Sequence, residues 1–315
     1  MKKISIIIPV FNEKENIILL YTKLKKVLEE LKKYDYEILF IDDGSTDGTR
    51  EEIKKISDPQ VKAIIFRRNF GKSAALSAGF RFAQGELIFT MDGDLQDEPE
   101  EIPNFLKEFN NKNYDLISGW KKERKDPFNK RFFSKIFNKV IAYSSGLKIH
   151  DFNCGFKLYK KELAKELDIY GELHRFIPAL AYLQGYKVGE IPVKHNSRIH
   201  GHSKYGAKRI LKGLFDFWTI LFLKRFMFSP MYFFGSTGII FFVIGLSIGI
   251  YLSIEKIIYY QSLSDRPLLL LSVLLIILGV QFVSIGFLGE LQVSLMKTKK
   301  TYNIKELYKI DKYKK

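Results

Sequence analysis

Two uncharged apolar stretches constrain this chain most: Phe226–Ile254 and Pro267–Gly289 contain no Asp, Glu, Lys or Arg. A bilayer's hydrocarbon core takes roughly 20 apolar residues as a helix, and both stretches are long enough. Buried helices of soluble proteins rarely run this far without a charge, so two membrane-spanning helices are expected. Lys224 and Arg225 precede the first stretch, and Lys297, Lys299 and Lys300 follow the second. The linker between them balances Glu255 and Asp265 against Lys256 and Arg266. By the positive-inside tendency, the N-terminal part and the tail are expected in the cytoplasm, with the linker outside. The N-terminal apolar run Ile4–Val10 is short, holds Pro9 and leads into Asn12-Glu13, so no signal peptide is expected there.

The first two hundred residues read differently. Short apolar runs (KISIIIPV, YEILFID, VKAIIF, ELIFTMD, YDLISG) alternate with helical periodicities over Glu15–Lys33, Asp47–Ile56, Lys72–Ala83 and Glu100–Phe109. Strands spaced by helices imply βαβ units: an α/β fold with a mostly parallel sheet and helices on both faces. Ligands bind such sheets at the carboxyl ends of the strands. Those ends carry Asn12-Glu13, Asp42-Asp43, and Asp92 with Asp94. Further on, Asn129–Ser144 reads as a basic amphipathic helix with Arg131, Lys135 and Lys139 spaced by four. Arg175–Gln184 reads as a short helix followed by a strand, YKVGEIPV. Residues 206–228 mix bases with large apolar groups, which suits helices lying in a membrane interface.

Charge narrows the partners. Lys plus Arg number 51 against 35 acids, a net charge of +16. Nucleic acid, anionic lipid and phosphorylated substrates all suit that balance. The bases gather beside the apolar spans, which favours lipid over nucleic acid. The single cysteine, Cys154, excludes an intramolecular disulfide and fits a reducing compartment.

The strongest chemical signal is MDGDLQDEPEE. Two aspartates separated by one small residue can both face a divalent metal, and Gly93 lets a ligand approach the backbone. Hard oxygen ligands suit Mg²⁺ or Mn²⁺, which bind through one or two carboxylates and substrate phosphates. Other motifs fail on inspection. FGKSAAL has Phe66 where a P-loop needs its first glycine. DDGSTDG opens like an EF-hand, but position twelve from Asp43 is Lys54. No GxGxxG follows the first strand, which disfavours a dinucleotide-binding fold.

PVFNE, IDDGSTDGT, NFGKSAALSAGF, MDGDLQDEPE and RIHGHSKYG occur in this order. With them the chain resembles family 2 glycosyltransferases of GT-A fold, in the polyprenyl-phosphate branch of dolichyl-phosphate mannose synthases and bactoprenol glucosyltransferases. The resemblance runs from Met1 to about Lys212, and the two-span tail matches the bactoprenol subgroup in architecture. It implies an inverting transfer of a sugar from a UDP- or GDP-sugar to a polyprenyl phosphate. It implies that Pro9, Phe11, Glu13, Ile41 and Asp43 surround the base and ribose. Asp92, Gly93, Asp94 and Gln96 form the diphosphate site, with Asp92, Asp94 and Gln96 as ligands of Mg²⁺ or Mn²⁺. Arg198, Ser203 and Lys204 lie in the loop that closes over the diphosphate. Arg124, Arg131, Ser134 and Lys135 fall where the branch holds its acceptor phosphate. Asp94 is read as catalytic, and so is Asp151, which stands where many relatives place an acid. An acceptor phosphate is already ionised near neutral pH, so no strong base is required. Asp151 then either orients a substrate or holds an Asp-x-Asn turn.

The domain layout follows: 1–205 catalytic, 206–228 interfacial helices, 229–292 a two-helix transmembrane hairpin, 293–315 a basic cytoplasmic tail. The expected partners are the nucleotide-sugar, the lipid acceptor and the membrane, with no nucleic acid and room for a homo-oligomer. Competing readings are weaker. A processive polysaccharide synthase would carry QxxRW and more spans, and neither Trp120 nor Trp218 follows an arginine. A non-catalytic sugar-nucleotide scaffold would tolerate loss of the paired aspartates or the basic loop, and both are intact.

Overall fold

The structure is a computed structural model and describes residues 2–122, 138, 141–142, 145–194, 226, 229–260, 262 and 266–296. The chain divides into two compact units, Met1–Phe217 and Trp218–Lys315.

The first unit is a seven-stranded sheet. Its strands are β1 (Lys2–Val10), β2 (Tyr34–Asp42), β3 (Val61–Ile65), β4 (Leu87–Thr90), β5 (Leu116–Lys121), β6 (Lys157–Lys160) and β7 (Val188–Val193). The order is β3-β2-β1-β4-β6-β5-β7. All neighbours are parallel except β6, which runs antiparallel between β4 and β5. The helices are α1 (Lys14–Glu30), α2 (Thr49–Lys54), α3 (Lys72–Phe82), α4 (Ile102–Lys112), α5 (Lys161–Glu166) and α6 (Ile177–Leu183).

Side-chain alternation along β1 divides the core. Ile4, Ile6, Ile8 and Val10 join Ile17, Leu20 and Leu24 of α1 and Phe105 and Leu106 of α4 in one buried cluster. Ile7 faces the other way, so close to α3 that a Cβ on Gly79 would lie 2.4 Å from it. A strand buried on both faces reads as a continuous apolar run, as KISIIIPV does.

The expected βαβ order is present. β6 and α5 are additions that the sequence reading lacked. FKLYKK has a lysine in the middle of its apolar run, which hides the strand. Helix α1 stops at Glu30, short of the expected Lys33. The expected basic helix at 129–144 lies almost wholly outside the described residues.

In the second unit two helices, α7 (Pro230–Tyr259) and α8 (Pro267–Met296), form a hairpin. Both are long and apolar enough to cross a membrane, with hydropathies of 2.2 for Pro230–Tyr259 and 2.8 for Pro267–Val293. They approach through small residues. A Cβ on Gly238 would sit 2.7 Å from the Gly279 carbonyl oxygen, and one on Gly279 would sit 2.7 Å from that of Gly238. Hydrocarbon gives no hydrophobic drive to helix pairing, so close backbone contact and polar links substitute. Ser272 supplies one link, its hydroxyl donating to the Gly245 carbonyl at 2.8 Å.

Candidate functional site

The loops after β1 and β2 clasp each other. The Asn12 N–H donates to Ser45 Oγ (2.9 Å), and Asn12 Oδ1 accepts the Thr46 N–H (2.9 Å). The Glu13 N–H donates to Thr49 Oγ1 (2.9 Å), whose hydroxyl donates to Asp47 Oδ1 (2.5 Å). Glu13 Oε2 accepts from Asn16 Nδ2 (2.6 Å). Thus FNE and DDGSTDGT form one rim. Pro9 and Ile41, paired across β1 and β2, underlie it. Phe11 follows β1 directly.

Asp43 extends that rim to the loop between β3 and α3. Its Oδ1 accepts the Phe70 N–H at 2.7 Å and its Oδ2 the Gly71 N–H at 2.9 Å. Asp43 is buried, and burial pushes its carboxyl above the usual range although both amides pull it down. Gly44, at φ +76°, passes so near this loop that a Cβ would meet the Arg68 carbonyl carbon at 2.3 Å. Only glycine fits both demands.

The paired aspartates sit in a turn just past β4. Asp94 Oδ1 accepts the Gln96 N–H at 3.2 Å. Between them Leu95 is left-handed at φ 61°, and Asn12 on the neighbouring strand end is left-handed at φ 53°. Such backbone is costly for a leucine, and strain of this kind gathers at functional sites. Asp92 faces Gly155 so closely that a Cβ there would lie 2.6 Å from the carboxylate.

Three lysines surround Asp92, and one of them, Lys157, is buried. Lys72 Nζ donates to its Oδ1 at 2.5 Å. Lys121 pairs with Asp97 Oδ1 at 3.0 Å, and Asp97 Oδ2 accepts the Asp92 N–H at 3.3 Å. Lys157 on β6 is buried and donates to the Cys154 carbonyl. Burial alone would raise the Asp92 pKa, but Lys72, Lys121 and Lys157 hold it well below the usual carboxylate range. Burial drags Lys157 down, with Lys72 adding to the effect. Burial pushes the Cys154 thiol up to about 12, so it stays protonated and inert as a nucleophile. Lys72, Thr90, Asn153, Gly155, Lys157 and His174 line a small cleft here. His174 Nδ1 lies 3.0 Å from Ser73 Oγ. Burial and the nearby Lys72 and Arg175 drive its pKa far down, so the ring is neutral.

Asp151 is buried. Its Oδ1 accepts the Asn153 N–H at 3.1 Å, and its carbonyl accepts the Ser118 hydroxyl at 3.3 Å. That is an Asp-x-Asn turn leading into the cleft wall.

Of the residues expected from sequence, Pro9, Phe11, Glu13, Ile41, Asp43, Asp92, Gly93, Asp94 and Gln96 gather at the carboxyl ends of β1, β2 and β4. Arg124, Arg131, Ser134, Lys135, Arg198, Ser203 and Lys204 lie outside the described residues. Lys72, Lys121, Lys157 and His174 were not anticipated. The available signal was charge inside apolar or motif runs: NFGKSAAL, SGWK and FKLY.

For a divalent metal, the turn offers two carboxylates and a carboxamide. Among the described residues no three His, Cys, Asp or Glu side chains converge into a ready metal cage, at this turn or elsewhere. An all-oxygen set beside a glycine cradle fits Mg²⁺ or Mn²⁺, which take their remaining ligands from phosphate and water.

A mostly parallel sheet whose strand ends bear a clasped rim and a paired-aspartate turn defines a GT-A transferase. The chain belongs to glycosyl transferase family 2, whose profile matches residues 5–168. Among curated proteins it is similar to dodecaprenyl-phosphate galacturonate synthase of Rhizobium johnstonii. The two are 35% identical over 295 residues, covering 92% of this chain and 87% of that one. Among solved structures it is similar to glucosyl-3-phosphoglycerate synthase of Mycobacterium tuberculosis. The complex with Mn²⁺, UDP-glucose and glycerol 3-phosphate gives a TM-score of 0.54 at 15% identity, covering 71% of this chain and 80% of that one. The complex with Mn²⁺, UDP and phosphoglyceric acid gives 0.56 at 14% identity, covering 71% and 78%. At such identity the likeness is one of fold.

Proposed function

We propose that this glycosyltransferase moves a sugar from a nucleoside diphosphate donor to a polyprenyl phosphate, at the cytoplasmic face of a membrane that α7 and α8 span. The observation that carries this reading is the extent of the similarity to the Rhizobium enzyme. It covers 92% of the chain and so takes in apolar helices as well as the α/β unit.

The rim of Pro9, Phe11, Glu13, Ile41 and Asp43 holds the base and ribose. Asp92, Asp94 and Gln96 hold Mg²⁺ or Mn²⁺, with Gly93 giving the diphosphate room. When bound, that ion stabilises negative charge developing on the leaving nucleoside diphosphate. Arg198, Ser203 and Lys204 close over the same charge. Arg124, Arg131, Ser134 and Lys135 grip the acceptor phosphate. Its oxygen bonds to the anomeric carbon from the face opposite the diphosphate, whose bond to that carbon breaks, inverting the centre. No proton need move, so Asp151 need not act as a base, and its part is to hold the Asp-x-Asn turn that shapes the cleft wall. Residues 206–228 and the tail rest on anionic lipid.

Arg131 provides the test. An Arg–phosphate contact is charge-assisted and often bidentate, contributing on the order of 1.5–3 kcal/mol. Arg131→Ala is therefore expected to lower acceptor kcat/KM about ten- to a hundredfold. Arg131→Lys should recover only part, lacking the fork. Donor binding by calorimetry should hold steady. Weakened donor binding with an unchanged acceptor KM would refute this placement.

A further inference from the structure

Phe70 is exposed where an apolar ring has no structural reason to be. It lies between β3 and α3, in a loop fixed at both ends and in the middle. The Phe66 N–H donates to the Asp42 carbonyl at 2.8 Å, as the strand ends. The Phe70 and Gly71 N–H groups occupy both oxygens of buried Asp43 at 2.7 and 2.9 Å. Gly44 presses against the Arg68 backbone. These contacts fix the course of the loop's backbone. Phe70 on it is 54% exposed, the most exposed phenylalanine of the described α/β unit after Phe82.

The ring is also supported. The Arg68 guanidinium lies 4.6 Å from its centroid, and the Phe66 ring meets it at 5.7 Å and 88°, edge to face. These contacts fix the orientation of an aromatic surface and place a cation on it. Aromatic rings paired with arginine are how proteins hold bases without reading their edges, since every base presents a π-face.

We propose that Phe70, supported by Arg68 and Phe66, is a stacking wall of the nucleobase pocket, and that Asp43 fixes the wall's position through the loop backbone. The proposal rests on the reading of the neighbouring rim as a nucleoside diphosphate site. It assigns Asp43 a positioning role, because both its carboxylate oxygens already serve Phe70 and Gly71. It also makes base stacking, rather than hydrogen bonding by Asp43 alone, a source of donor affinity.

The test uses full-length protein in detergent with Mn²⁺, titrated by calorimetry with UDP, GDP and inorganic pyrophosphate. Wild type should bind one nucleotide in preference. Phe70→Ala should weaken that nucleotide about ten- to a hundredfold, the range of one base–aromatic stack. Pyrophosphate affinity should stay the same, because it has no base. Phe70→Trp should restore nucleotide affinity. Its added emission, measured against the wild-type background of Trp120 and Trp218, should be quenched by nucleotide and not by pyrophosphate. Unchanged nucleotide affinity in Phe70→Ala would overturn the proposal and leave the ring as a contact surface for lipid or protein. Equal weakening of nucleotide and pyrophosphate would also overturn it, marking loop distortion. Wild-type protein that binds neither UDP nor GDP would refute the nucleotide-site reading itself, and this inference with it.

Discussion

Replacing Asp43 by Asn keeps the side chain's size and changes only its hydrogen bonding. The carboxylate now accepts two backbone N–H groups, from Phe70 and Gly71. An asparagine can accept one of them through its carbonyl, and its NH₂ then opposes the other. One charge-assisted bond is lost and one buried amide is left without an acceptor, which costs on the order of 1.5–3 kcal/mol. Relief works against this, because burial and the neighbouring Asp42 already disfavour the ionised carboxyl. The lower end, about 1.5 kcal/mol, is therefore expected. For a unit of this size that corresponds to a fall of about 3–6 °C in Tm. Differential scanning fluorimetry in detergent measures it directly. If the loop must be ordered before the donor binds, the same energy weakens donor affinity about tenfold. Asp43→Ala, which leaves both amides unpaired, should lose more of both. A variant with wild-type Tm and wild-type donor affinity would refute the claim that Asp43 fixes this loop.

Two further outcomes bear on the metal and the membrane. Asp94→Ala should reduce transfer about a hundredfold or more while the protein stays folded and membrane-inserted. Near-normal turnover by that variant, or full activity in excess chelator, would contradict the metal assignment. With Cys154 replaced by Ser, Ser262→Cys should label in intact cells with an impermeant thiol reagent. Labelling of a cysteine placed in the tail instead would reverse the topology.

The parts of the fold legible in the sequence are those where one physical cause acts alone. KISIIIPV has apolar side chains on both faces because β1 is covered on both, and no other element competes for that pattern. The α7–α8 hairpin follows from the absence of charge. Strand β6 was illegible because Lys157, a buried cation within it, breaks the apolar pattern. The site divides in the same way. Asp92, Asp94 and Asp43 stand out because acids at strand ends have few structural uses. Lys72 and Lys121 did not, because lysines are ordinary on surfaces and only the three-dimensional arrangement brings them to Asp92 and Asp97. The double use of Asp43 was hidden for another reason: backbone N–H acceptors leave no mark in side-chain identity.

The central claim is the acceptor, and lipid extraction tests it most directly. Membranes containing the protein are incubated with Mn²⁺, polyprenyl phosphate and a panel of radiolabelled UDP- and GDP-sugars, then partitioned into organic solvent. One donor should yield a labelled lipid, dependent on added polyprenyl phosphate and absent with Asp94→Ala, and mild acid should release its sugar, as expected of an anomeric glycosyl phosphate. Label appearing only in water-soluble products or polysaccharide, with none in lipid for any donor, would contradict the account.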